Sequence, residues 1–316
     1  MILNSIIIPA YNEYNNLIEL LDEIEKEFVS EIEQRNIEVI IINDGSNDET
    51  RSDLIKIIKT KKTQIKIVHL IKNQGKHFAL EKAFNYINGE NIVIIDADQQ
   101  YKIKDIKKLI SVLDKGYDLV NGKRNNRKDD NLTNTASKIY NFIIRTILNV
   151  ECEDFFSGLK VFKSKIIKVI NFRDLCRFII LLAKINGFKI CEEDIDHSER
   201  IHGKSRYNFF SRLKLSINDL ITIFFLKFAN KYRIYIINIY SRFALALYFL
   251  LKLINIILDK NYLLSDLYND KIIVLLILLN FVGIIFSSII KLHEMHHNNS
   301  FQERMKNFDT VQSNYE

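Results

Sequence analysis

IVIIDADQQ, residues 92–100, is the stretch from which the rest of this chain is read. Its apolar run, Ile92–Ile95, leads directly into two carboxylates, Asp96 and Asp98, with Gln100 two positions further on. A short continuous apolar run of this kind suits a strand buried on both faces. On an extended chain, positions i, i+2 and i+4 share a face, so three oxygen-bearing side chains would meet at the mouth of the strand. Hard cations such as Mg²⁺ or Mn²⁺ take that ligand set, completed by phosphates and water. Asp is also common in turns, so the same residues read alone as an acidic cap on a strand.

Working outward, similar runs recur at Ser5–Ile8, Glu38–Ile42, Ile65–Leu70 and Leu119–Gly122. Helical patterns lie between them at Asn15–Ser30, Thr50–Thr60, His77–Asn88 and Lys104–Asp114. The alternation predicts an α/β fold, a mostly parallel sheet with helices on both faces. Ligands of such sheets bind beyond the carboxyl ends of the strands. Polar motifs fall there three times: Pro9–Glu13, Asn43–Ser46 and Asp96–Gln100.

At 316 residues the chain has room for a full core and more than one unit. A net charge of +6, without a basic cluster, argues against nucleic acid as a partner and suits an anionic membrane face. Cys152, Cys176 and Cys191 have no metal-ligand spacing and read as reduced cytosolic thiols. The N-terminus carries no signal-peptide pattern.

Beyond Phe209 the character changes. Phe209–Phe228 is amphipathic and basic, as in a helix lying in a membrane interface. Ile272–Ile290 is 19 residues without a charge, long enough to span a bilayer. Ile234–Leu258 is a second candidate span, although Arg242 and Lys252 lie within it; a buried amphipathic helix is the other reading. Basic residues before the first span and after the second place the large domain and the tail on the cytoplasmic side. The expected organisation is a catalytic domain at 1–207, a juxtamembrane region at 208–233, two spans within 234–291 and a tail at 292–316. His293–His297 matches His-Glu-x-x-His, but it sits at the end of a span with no evident third ligand and reads as an exposed helix end.

Each motif has a chemical and a structural reading. In Ser5–Glu13, backbone groups and Tyr11 can hold a nucleobase and Glu13 a ribose or base, or Asn12 simply caps a helix. Asp44 ends a strand where a carboxylate can receive base N–H groups, while Asp48 reads as a helix cap. NQGKHFAL, residues 73–80, is neither a P-loop nor a dinucleotide fingerprint. Its Lys76 reads equally as a phosphate contact or a solvated side chain.

Taken together, PAYNE, NDGSNDET, NQGKHFAL and DADQQ resemble the family 2 glycosyltransferases of GT-A fold, in the same order and at comparable intervals. NGKR (121–124), DFFSGLK (154–160) and ERIHGKSRY (199–207), with two spans after them, narrow the resemblance to the polyprenyl-phosphate glycosyltransferases. The resemblance implies a membrane enzyme moving one sugar, with inversion, from a nucleotide-diphosphate-sugar donor to a polyprenyl phosphate. It implies donor contacts at Pro9, Tyr11, Glu13, Ile42, Asp44, Asp96, Ala97, Arg124 and Arg206. Asp96, Asp98 and Gln100 would hold Mg²⁺ or Mn²⁺, with Asp98, Asp154 and Arg200 in catalytic roles. Ser137, Arg200 and Arg206 would contact the acceptor phosphate. Related enzymes occur as monomers and tetramers, so a homo-oligomer is among the implied partners, with membrane lipid.

The chain departs from the family at three points. The usual Ser-Lys is Ser205-Arg206, the usual Ser-Gly-Phe-Arg is Ser157-Gly158-Leu159-Lys160, and Thr133 and Asn134 stand where a basic residue often precedes Ser137. An acceptor phosphate is largely dianionic at neutral pH and needs no strong base, so Asp154 is expected to position the acceptor rather than deprotonate it. The alternatives are a glycolipid hydroxyl acceptor, which would need a true general base, and a non-catalytic nucleotide-sugar-binding protein.

Overall fold

The computed structural model describes residues 2–125, 141–142, 144–146, 152–170, 176–198 and, for the backbone alone, 308–313. They belong to one compact unit, residues 1–212 with 299–316. Among the described residues, eight strands form a single sheet: β1 (Asn4–Ala10), β2 (Ile37–Asn43), β3 (Gln64–Leu70), β4 (Asn91–Ile94), β5 (Leu119–Asn125), β6 (Lys160–Lys163), β7 (Ile190–Asp196) and β8 (Phe308–Ser313). Their spatial order is β7-β5-β6-β4-β1-β2-β3-β8. The pairs β1–β2, β1–β4, β2–β3 and β5–β7 are parallel; β6 runs antiparallel to both β4 and β5, and β8 antiparallel to β3.

The isoleucine runs explain the centre of the sheet. Ile6, Ile7, Ile8, Val39, Ile40, Ile41 and Ile42 are all fully buried, as expected of strands covered on both faces. On one face, α1 (Tyr14–Glu27) inserts Leu17, Leu20, Leu21 and Ile24, spaced as a helical stripe. Beside it, α6 (Ile103–Leu113) contributes Ile103, Ile106, Leu109 and Leu113. A third helix, α5 (Lys76–Ala83), packs against β1 and β2. Burying each of these aliphatic side chains is worth roughly 1.5–3 kcal/mol, and together they hold the strand ends that carry the polar loops.

Some expected boundaries move. The helix read at Thr50–Thr60 is two short ones, α3 (Glu49–Ser52) and α4 (Leu54–Ile58), broken at Asp53. A five-residue α2 (Val29–Glu33) follows α1 after a break at Phe28. Two further short helices, α7 (Lys165–Val169) and α8 (Ile179–Ile185), fill the region after β6. Strand β4 stops at Ile94, so the two carboxylates and Gln100 sit on a turn, with Gln99 at φ +58°, rather than on an extended run. Their proximity is therefore a property of the turn, not of β periodicity.

The antiparallel β6 has a consequence for the site. Because β4 and β5 point the same way and β6 runs against them, its first residue, Lys160, lies beside Ile94 at the end of β4 and opposite Asn121 in β5. The segment 154–159 is thereby delivered to the end of β4. Among the described residues no helix is long and apolar enough to cross a membrane. The interfacial segment and both expected spans lie outside the described residues.

Candidate active site

The loops after β1, β2 and β3 are wired together by their own polar side chains. Asn12, at φ +56°, donates its backbone N–H to Ser46 Oγ at 2.9 Å, and its Oδ1 accepts from the Asn47 N–H at 2.9 Å. Asn12 therefore ties β1 to the β2 loop instead of capping α1, whose N-cap is Glu13. Asp48 caps α3 by accepting from the Thr50 N–H at 3.1 Å, as its position in the sequence leads one to expect. Asp44 is buried and accepts the backbone N–H groups of Gln74 at 2.7 Å and Gly75 at 2.8 Å, one on each oxygen. Gly75 has φ +96°, a conformation that glycine adopts without strain. The next residue, Lys76, opens α5.

Lys76 is half-buried, and its ammonium pairs with Asp96 Oδ1. Burial opposes the charge on Lys76, but Asp96 beside it more than compensates and raises the pKa, with Tyr101 and Asp98 acting the same way. It is not a solvated lysine. Next along α5, His77 is held well below the ordinary imidazole range by burial and by the nearby charges of Lys76, Arg177 and Lys160. It is neutral, and among the described residues its buried Nδ1 has no hydrogen-bond partner.

Gly158 closes the other side of Asp96. A Cβ at this position would lie 2.7 Å from Asp96 Cγ, closer still to Oδ2, and 2.9 Å from Tyr101 Cε2. Only a residue without a side chain allows so close an approach. The Gly158 N–H donates to the Tyr101 hydroxyl at 2.7 Å, and burial raises the Tyr101 pKa, keeping it protonated. Asp98 is buried on the same turn. The Gln100 amide donates to the Ser198 carbonyl at 3.3 Å, and the Ser198 N–H returns a bond to the Gln100 carbonyl at 2.9 Å.

Among the described residues no three His, Cys, Asp or Glu side chains converge on one point. A metal at this turn would be held by carboxylate and amide oxygens, with the remaining positions taken by phosphates and water, the pattern hard divalent ions favour. The ammonium already lying against Asp96 shows that this carboxylate accepts a cation. The residues fit such an ion.

Arg124 and Asp154 form the second centre. The Arg124 Nε donates to Asp154 Oδ2 at 2.6 Å and Nη2 donates to Oδ1 at 2.7 Å, a two-pronged ion pair with both side chains largely buried. The backbone carrying Asp154 is itself pinned by Glu192 on β7. One Glu192 oxygen accepts from the Asp154 N–H at 3.0 Å, Asn121 Nδ2 at 2.7 Å and Cys152 Sγ at 3.0 Å. Burial raises the Cys152 thiol, so it stays protonated and can donate. Lys160 is buried here and donates to the Ser157 carbonyl. Burial lowers its pKa to about 8; Asp154 opposes the shift, while Lys76 and Arg124 add to it.

The structure thus brings Pro9, Tyr11, Glu13, Ile42, Asp44, Asp96, Ala97, Asp98, Gln100, Arg124 and Asp154 to one edge of the sheet. Ser137, Arg200 and Arg206 lie outside the described residues. Two contributors carried no signal in the sequence: Tyr101, one residue beyond the acidic turn, and Glu192, in a strand too polar to recognise. Lys160 was visible only as a departure from a family pattern.

Comparison with known proteins matches these elements. Residues 5–170 match Glycosyl transferase family 2. The undecaprenyl-phosphate 4-deoxy-4-formamido-L-arabinose transferase of Photorhabdus laumondii is 32% identical over 221 residues, 69% of this chain and 66% of the relative. The Klebsiella pneumoniae protein of that name is 32% identical over 219 residues, with the same coverage. The match therefore spans a little under two thirds of the relatives' length. Among solved structures, glucosyl-3-phosphoglycerate synthase from Mycobacterium tuberculosis superposes with a TM-score of 0.53 at 18% identity, covering 71% of this chain and 79% of that one; it shares the fold. With the match covering more than half its residues and falling on the strands and turns that build the site, the chain belongs to glycosyl transferase family 2.

Proposed function

We propose that the chain transfers a single sugar, with inversion, from a nucleotide-diphosphate-sugar to a polyprenyl phosphate at a cytoplasmic membrane face. The observation that carries this reading is the Arg124–Asp154 fork. A carboxylate with both oxygens engaged by a guanidinium is an oriented charge rather than a free proton acceptor, which suits an acceptor that arrives already ionised. The relatives named as undecaprenyl-phosphate transferases support the same acceptor class.

In the reaction, an acceptor phosphate oxygen forms a bond to the anomeric carbon as the bond from that carbon to the donor diphosphate breaks. A divalent metal, when bound, supplies charge neutralisation at the departing diphosphate. Asp96, Asp98 and Gln100 would hold it; the fold neighbour has been seen with Mn²⁺ and UDP-glucose. In this proposal Tyr11, Glu13 and Asp44 would meet the nucleoside, with Pro9, Ile42 and Ala97 beside them. Asp44 already holds the Gln74 and Gly75 N–H groups, so only its remaining lone pairs would receive the base. Arg124, with Lys76 and Lys160 near it, supplies positive charge inside the site. Ser137, Arg200 and Arg206 complete the phosphate contacts in this proposal. In this proposal the juxtamembrane region at 208–233 and the spans expected at 234–258 and 272–290 would anchor the domain. Return of residues 308–313 to the sheet edge supports placing the tail on the same side as the catalytic domain.

Transfer of radiolabel from a panel of UDP- and GDP-sugars to undecaprenyl phosphate, in membranes containing the chain with Mn²⁺ or Mg²⁺, tests the proposal. Label is expected in the lipid phase from one donor and to be absent with Asp98→Ala. Donor binding without transfer from any sugar would move the reading to another acceptor or a non-catalytic role.

Lys160 gives the reaction a pH signature. Losing its proton near pH 8 removes a positive charge from the site, so kcat/KM is expected to fall as pH rises through about 8. Lys160→Arg, which stays charged, is expected to abolish that alkaline limb. The stability effect has the opposite sense. The folded-state pKa lies below the ordinary 10.5, so this group's contribution to stability rises with pH between about 8 and 10.5 and is lost on acidification through 8. An alkaline limb unchanged in Lys160→Arg would assign it elsewhere.

A further inference from the structure

Lys76 pairs with the same carboxylate that the reaction would use to hold a cation. We propose that Lys76 is an exchangeable internal cation, balancing Asp96 in the free enzyme and moving to the donor diphosphate when a divalent metal takes its place. This rests on the reading of Asp96 and Asp98 as the metal site.

Three features of the structure carry the proposal. The base of the lysine is fixed: Asp44 holds the Gln74 and Gly75 N–H groups, so the first turn of α5 does not have to move. The ammonium end is free to relocate, because a four-carbon stem can swing its charge while its Cα stays in place. Asp96 has little room to retreat and accommodate two cations, since its Oδ2 side lies so close to Gly158 that no Cβ fits between them. A metal reaching Asp96 must therefore displace the ammonium, which then needs a new anion. The donor's diphosphate arrives with the metal and is that anion. Metal and nucleotide should consequently bind cooperatively, each relieving the cost the other meets.

The test uses the full chain and two readouts other than turnover. Free Mn²⁺ is followed by electron paramagnetic resonance without nucleotide; UDP and GDP are then titrated at saturating Mn²⁺. In Lys76→Met, Mn²⁺ alone is expected to bind several-fold tighter, and the preferred nucleotide at least about tenfold weaker, within the usual range of coupling between sites. Lys76→Arg is expected to restore nucleotide binding and weaken Mn²⁺ again. Mn²⁺ affinity unchanged in Lys76→Met, or both affinities falling together, would overturn the exchange. Asp98→Ala separates the two readings. If it loses Mn²⁺ while Lys76→Met matches the wild type, only the exchange fails. Mn²⁺ bound equally by wild type and Asp98→Ala, or by neither, removes the site reading and the exchange with it.

Discussion

Replacing Gly158 with alanine is expected to lower transfer by about 100-fold or more while the protein remains folded. The added methyl would meet the Asp96 carboxylate and the Tyr101 ring at distances that neither can ignore. Asp96 would have to turn toward Lys76, which moves the carboxylate that the ammonium, or a metal in its place, must meet. Displacing a reacting or binding group by about 1 Å commonly costs about 100-fold in rate. The stability cost is that of overpacking a tight site, about 1–3 kcal/mol. Gly187→Ala is the control. Gly187, at φ +80°, also disfavours a side chain, but no described residue lies within 4 Å of where its Cβ would be. That variant should lose stability without losing activity. Initial rates and melting temperatures of the two variants decide the matter, and a fully active Gly158→Ala would mean that the Asp96 position is not critical.

The second large effect concerns the Arg124–Asp154 fork. Asp154→Asn removes the carboxylate that a largely buried guanidinium grips at both oxygens, and breaking such a pair from one side typically costs about 3–5 kcal/mol. Transfer should fall with it, because Arg124 loses the partner that orients it. Arg124→Met combined with Asp154→Asn removes both charges. The double variant should regain much of the stability but none of the activity. Denaturant unfolding of the two single variants and the double, compared as a cycle, measures the coupling. Strictly additive losses would show that the two side chains are not acting as a unit.

The sequence foreshadowed these sites unevenly, for identifiable reasons. Strands β1 to β5 were legible because each carries a run of Ile, Val or Leu that is buried in the sheet. Strand β7 was not: in Ile190–Asp196 only Ile195 is fully buried, so acidic side chains obscure the pattern. Strand β6 is four residues long and follows a loop, with no periodicity to read. Missing β6 hid the route by which Asp154 and Lys160 reach the strand ends. The acidic turn was found through residue type, but the geometry assigned to it came from an extended chain that stops at Ile94. Lys76 had two readings in the sequence because its partner, Asp96, is twenty residues away and is brought to it only by the fold. Glu192 was invisible for the same reason, since its bonds run to residues around 121 and 152–154.

The bonds that tie the strand-end loops together also govern how the site moves. Loop amides usually exchange with solvent faster than those of the strands they connect. Here the Gln74 and Gly75 amides end on a buried carboxylate at the tip of β2, and those of Asn12 and Asn47 end on each other's loops. None of these loops can open without breaking its neighbour's bonds. Their hydrogen exchange should therefore be slow and should rise together under mild denaturant, as one cooperative unit with β2. A rim that opens only as a whole presents its binding groups already ordered, so a ligand meets little conformational entropy there.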